Sequence, residues 1–89
     1  MTTIEPSVFK QLQAYGGLKE AYFEVEAATA ADVIDFADNN VEGAKICIAQ
    51  DSDGAAVTGQ ICGDDLNTVI IGSGPNAEHI RGVIKYRSY

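Results

Sequence analysis

From Gly43 to Arg87 the chain alternates runs of Ile and Val with short clusters of Gly, Asp, Asn and Pro, the pattern of an antiparallel sheet with close turns. Lys45-Ile46-Cys47-Ile48-Ala49-Gln50 and Ala56-Val57-Thr58-Gly59-Gln60-Ile61-Cys62 flank Asp51-Ser52-Asp53-Gly54, which supplies turn chemistry and predicts a β-hairpin. A two-residue turn centred on Ser52-Asp53 or on Asp53-Gly54 puts Ile46 and Ile48 on the face of Val57, Gly59 and Ile61, because the side-chain period of a strand is 2. That face is expected to be core.

The same alternation extends outward from the hairpin. In Leu18 to Ala28, Ala21, Phe23, Val25 and Ala27 alternate with Tyr22, Glu24 and Glu26, a half-buried strand. Asp32 to Phe36 fits a strand or a single helical turn, and Ala37 to Gly43 is rich in turn formers. Asn67 to Gly72 is apolar on both faces, which predicts a central strand. The last strand, His79 to Arg87, places Ile80, Gly82, Ile84 and Tyr86 on one face and Arg81, Val83, Lys85 and Arg87 on the other. The expected core is Phe23, Val25, Ile46, Ile48, Val57, Ile61, Val69, Ile71, Ile80 and Ile84, and Ile48→Ala is expected to cost ~2–5 kcal/mol.

Residues 1–17 have a different period. Val8, Leu12 and Tyr15 recur at i, i+4 and i+7 with Phe9 beside them, Pro6 suits a first helical turn, and Gly16-Gly17 suits a helix stop. The spacing predicts a short amphipathic helix, too short to be stable undocked. It would cover an open end of its own domain, or reach a neighbouring subunit as an arm through Val8, Phe9, Leu12 and Tyr15. The expected architecture is mainly β: a small antiparallel sandwich or barrel at 18–89, with a helix or arm at 1–17.

Composition sharpens the β assignment. Nine Ile and seven Val stand against three Leu in 89 residues, a bias toward β-branched side chains that favours strands. A net charge of −7 disfavours nucleic acid and anionic membranes as partners, and no apolar run nears the ~20 residues that span a bilayer. The opening residues lack the basic and apolar regions of a secretory signal, so synthesis in the cytoplasm is expected. Charge is also segregated: Glu20 to Glu42 contains seven acidic residues and no basic one, while residues 79–89 contain Arg81, Lys85 and Arg87 and no acidic one. Glu24 and Glu26 are expected to meet Arg81 and Lys85 across a sheet, or else the asymmetry links neighbouring copies.

Candidate chemistry is sparse. Asp51-Ser52-Asp53-Gly54 opens like a calcium loop, but an EF-hand needs glycine at its sixth position and Glu at its twelfth, where Cys62 stands. Gly72-Ser73-Gly74-Pro75 lacks the Lys-Ser/Thr of a phosphate loop. His79 is the single histidine, and Cys47 and Cys62 are offset in either hairpin register, so both are expected to be free, buried thiols. No catalytic residue, metal ligand or cofactor site is assigned, and no enzymatic activity is expected.

The order of parts from Ala21 to Tyr86 resembles that of the small β-rich structural proteins of tailed viruses that decorate capsids or sit at the head surface. An alternating strand is followed by "DVIDFAD", an apolar strand, an Asp-Gly turn with "AAVTGQI", then "NTVIIGSG" and a closing "IRGVIKYR". The resemblance implies a homo-oligomeric virion component that binds other subunits in many copies, with the N-terminal arm touching a neighbour. The alternative is a cytoplasmic binding module or filament or shell subunit of the same β class.

Overall fold

The structure, a computed structural model, describes residues 2–87, with the side chain of Tyr15 also outside the described residues. The chain forms β1 (Thr3–Ile4), β2 (Val8–Tyr15), β3 (Leu18–Ala28), β4 (Val33–Asp35), a 3₁₀ turn (Ala37–Asn39), β5 (Glu42–Gln50), β6 (Ala56–Val57), β7 (Gly59–Cys62), β8 (Thr68–Ile71) and β9 (Glu78–Arg87). These build a β-sandwich of a five-stranded sheet, β2-β3-β9-β5-β6, and a four-stranded sheet, β1-β4-β8-β7. All pairings are antiparallel except β1 with β4.

Alternation in β3 and β9 sets the large sheet. Ala21, Phe23 and Val25 pair with Ile84, Gly82 and Ile80, and apart from the glycine all are buried. The small sheet answers with Ile34, Val69 and Ile71, while Phe36 fills the end of the core with its ring 5.0 Å from that of Phe23 in an edge-on contact. Asn67 to Gly72 is indeed interior to its sheet, as β8 between β4 and β7.

The helix expected in residues 1–17 does not form; that segment supplies β1 to the small sheet and β2 to the large one. Gly16 and Gly17 have φ of +47° and +93° and make the two-residue turn that pairs Tyr15 with Leu18, a conformation glycine adopts without steric cost. The helix-like spacing has a physical origin. A register shift between Gln11 and Gln13 is a β-bulge at Leu12, and an extra residue inserted into a period-2 strand imitates a period near 3.6.

Ile46 and Ile48 are also not core. They are 46% and 65% exposed, and Ala49 and Cys47 point inward instead. The strands pair Ala49 with Val57 and Gln50 with Ala56, so the connection runs from Asp51 to Ala55, an odd-membered loop. Its organiser is Asp51, whose Oδ1 accepts hydrogen bonds from the amides of Asp53 and Ala55, both at 2.9 Å. One additional loop residue reverses the face of every side chain on the preceding strand. Past Thr58 the second arm leaves β5 altogether, and β7 pairs with β8 in the small sheet. The Gly72 amide donates to the Thr58 carbonyl at that corner (2.8 Å), and a Cβ on Gly72 would overlap the Thr58 side chain.

A buried carboxylate ties the amino-terminal strand down. Asp32 accepts from the amide of Thr2 (3.1 Å) and that of Thr29 (2.9 Å), while its backbone carbonyl receives the Ile71 amide (2.9 Å). Its acceptor capacity satisfies donors that would otherwise be lost from water.

Candidate interaction surface

The outward side of the large sheet carries the most unusual chemistry of the molecule. Pairing across β3 and β9 places Glu20 opposite Lys85, Tyr22 opposite Val83 and Glu24 opposite Arg81. On the far side of β9, Ile46, Ile48 and Gln50 of β5 stand opposite Lys85, Val83 and Arg81. On the far side of β3, Lys10 and Val8 of β2 stand opposite Tyr22 and Glu24. The result is an apolar row, Tyr22-Val83-Ile48, bounded by two charged rows. An open depression of about 560 Å³ lies over it, lined by Tyr22, Ile48, Val83, Arg81, Lys85 and Glu20 among others.

The ionic groups are arranged in short contacts. His79 Nε2 lies 2.6 Å from Glu24 Oε1, and Lys85 Nζ lies 4.0 Å from Glu20 Oε2. With Glu24 engaged by His79, Arg81 makes no ion pair among the described residues. The acidic first long strand does pair with the basic last one, but the expected ion pairs differ: Glu24 stands opposite Arg81 and contacts His79, and Lys85 meets Glu20 instead of Glu26. Glu26 falls within the register shift between Val25 and Ala28. Desolvation, and then the neighbouring Glu24 carboxylate, push the Tyr22 phenol above its ordinary value.

The four residues expected to contact a partner separate. Val8 and Leu12 are exposed, at 41% and 47%. Phe9 turns inward, its ring 6.2 Å from Phe36 and 6.4 Å from Tyr86, so it helps hold β2 to its own core. The side chain of Tyr15 lies outside the described residues. Ile46 and Ile48, the largest exposed apolar groups of β5, were missed because hairpin parity assigned them inward. The signal that would have found them is Asp51 followed by Ser-Asp-Gly-Ala, a side chain able to cap a five-residue loop.

The void between the sheets beside Phe23, Ile34 and Cys47 is about 10 Å³, about the volume that admits one water. Cys47 and Cys62 are both free thiols, Cys62 Sγ lying 3.1 Å from Thr68 Oγ1. Among the described residues no three His, Cys, Asp or Glu side chains converge as a metal set.

Burial pushes the Cys47 thiol up to about 11 from an ordinary 9.0, and burial also raises the Tyr86 phenol. A group that stays protonated longer when folded stabilises fully below its unfolded pKa and loses that contribution as pH rises through the folded value. Unfolding free energy should therefore fall between pH 9 and 11, with Cys47 accounting for about 2 kcal/mol. Urea titrations across that range check it, and Cys47→Ala should flatten the slope without removing the Tyr86 part.

No protein family, curated protein or solved structure matches this chain.

Proposed function

We propose that this chain is a virion structural protein, a capsid decoration or head-surface subunit that acts by repeated protein–protein contacts through the outer face of its large sheet. The observation that supports it is Ile48, 65% exposed beside Ile46, Tyr22 and Val83. A contiguous apolar row rimmed by charges has the anatomy of an interface centre with a polar border. Among the described residues, the void between the sheets beside Phe23 and Ile34 is about 10 Å³, whereas the open depression on the outer face is about 560 Å³.

The test follows the chain through particle purification. A decoration subunit bands with shells in a density gradient, and Ile48→Asp lowers its copy number on them at least tenfold. Ile48→Ala should leave the denaturant midpoint of the isolated protein within about 0.5 kcal/mol of wild type, as an exposed position requires. A chain recovered wholly away from the particles contradicts the proposal.

A further inference from the structure

We propose that the outer face of the large sheet is self-complementary, and that its partner is a second copy of this chain packed face to face about a two-fold axis running parallel to the strands, between β3 and β9. The inference rests on the proposed protein–protein role of this face and names its occupant.

The argument is one of charge and symmetry. β3 presents Glu20, Tyr22 and Glu24, and β9 presents Lys85, Val83 and Arg81 directly opposite them. Along the regular stretch of the pairing, the two outward carboxylates of β3, Glu20 and Glu24, are each matched by an outward cation of β9, with an apolar pair between. A two-fold along the boundary exchanges the two strands. It lays Glu20 over the second copy's Lys85, Glu24 over its Arg81 and Tyr22 over its Val83, each contact occurring twice, as an isologous interface requires. The flanking strands obey the same operation. Ile48 meets the aliphatic stem of Lys10, and Gln50 meets Val8, because Lys10 and Val8 lie one strand beyond Tyr22 and Glu24. The other in-plane two-fold, across the strands, stacks Glu20 on Glu24 and Lys85 on Arg81, and is repulsive. Aligned sheets pack with their strands within about 30°, which keeps the central rows in register.

Arg81 is left open to a partner, since its in-sheet neighbour Glu24 is engaged by His79 at 2.6 Å. Four strands at ~4.8 Å spacing give a footprint of roughly 400 Å² per copy, below the ~800 Å² of a standard interface. The dimer is therefore weak and concentration-dependent in solution.

Sedimentation velocity over a concentration series tests this with Glu24→Arg and Arg81→Glu. Each single variant places like charges face to face and should weaken self-association about tenfold or more. An equimolar mixture of the two restores opposite charges across the axis and should recover association to within a few-fold of wild type. Rescue by mixing is diagnostic: each chain keeps its own like-charged Glu or Arg pair within the sheet, so a loss of internal stability would not be repaired. Glu20→Lys mixed with Lys85→Glu repeats the test if either first variant fails to fold. A wild-type chain that stays monomeric throughout, single variants that associate like wild type, or a mixture that remains monomeric overturns the two-fold. Banding with particles is read separately, so a failed mixture with intact banding rejects the dimer alone, and the converse rejects the virion role alone.

Discussion

Replacing Gly82 with alanine should destabilise the protein by about 2–3 kcal/mol, although glycine in a strand interior is ordinarily the less stable choice. Gly82 lies on β9 between Phe23 of β3 and Ala49 of β5. A methyl group there would stand 2.9 Å from Ala49 Cα and 3.0 Å from its Cβ, and would overlap the Ile48 carbonyl oxygen. Those atoms belong to the backbone of the neighbouring strand and to its shortest side chain, so no rotamer change relieves the contact. Relief requires β5 to move away from β9 in the middle of the sheet. The denaturant midpoint should drop at unchanged slope; a midpoint equal to or above that of wild type would mean that the two strands separate freely at this position.

Phe36→Ala should cost about 3–5 kcal/mol, much of what a chain of this size has in total. Phe36 is fully buried at the end of β4, with the Phe23 ring edge-on at 5.0 Å and the Phe9 ring at 6.2 Å. It thus joins the small sheet to both β3 and β2. Removing it leaves a cavity and also takes away the surface on which Phe9 rests. A double-mutant cycle with Phe9→Ala should give a coupling of about 0.5–1.5 kcal/mol. Strictly additive losses would show that Phe9 anchors β2 independently of Phe36, through its contact with Tyr86.

How much of the architecture was legible depended on whether a strand was uninterrupted. β9 has no bulge from Ile80 to Arg87 in its pairing with β3, and its alternation read correctly on both faces. β3 did so up to Val25, where a register shift begins and Ala28 rather than Ala27 turns inward. β2 carries its bulge in mid-strand, and there the pattern pointed to a helix. Pro6 and Gly16-Gly17 reinforced that error, because the residues that begin and end helices also make bends and hairpin turns. Burial of Ile34, Phe36 and Val41 was not foreseen, since they lie in short segments surrounded by Asp and Asn whose register is fixed only by contacts distant in sequence.

For the surface, the β3 and β9 contributions were visible as complementary charge runs on alternating strands. The β5 contribution was not: its facing hangs on whether the turn organised by Asp51 holds an even or an odd number of residues. An error of one position exchanged Ile48 for Ala49 and hid the apolar centre of the face.

The place of β9 in the large sheet also bears on folding. It lies between β3 and β5, joining residues from the two halves of the chain, Leu18 to Arg87 and Val25 to Ile80. Until residues 78–87 are in place, β3 and β5 have no strand to share, and each leaves a row of unpaired backbone groups along one edge. Pairings between such distant residues also place folding toward the slower end of the range for small domains. Those two edges, which the last strand alone closes, are where pairing with another chain would begin in a molecule whose β9 has not yet inserted.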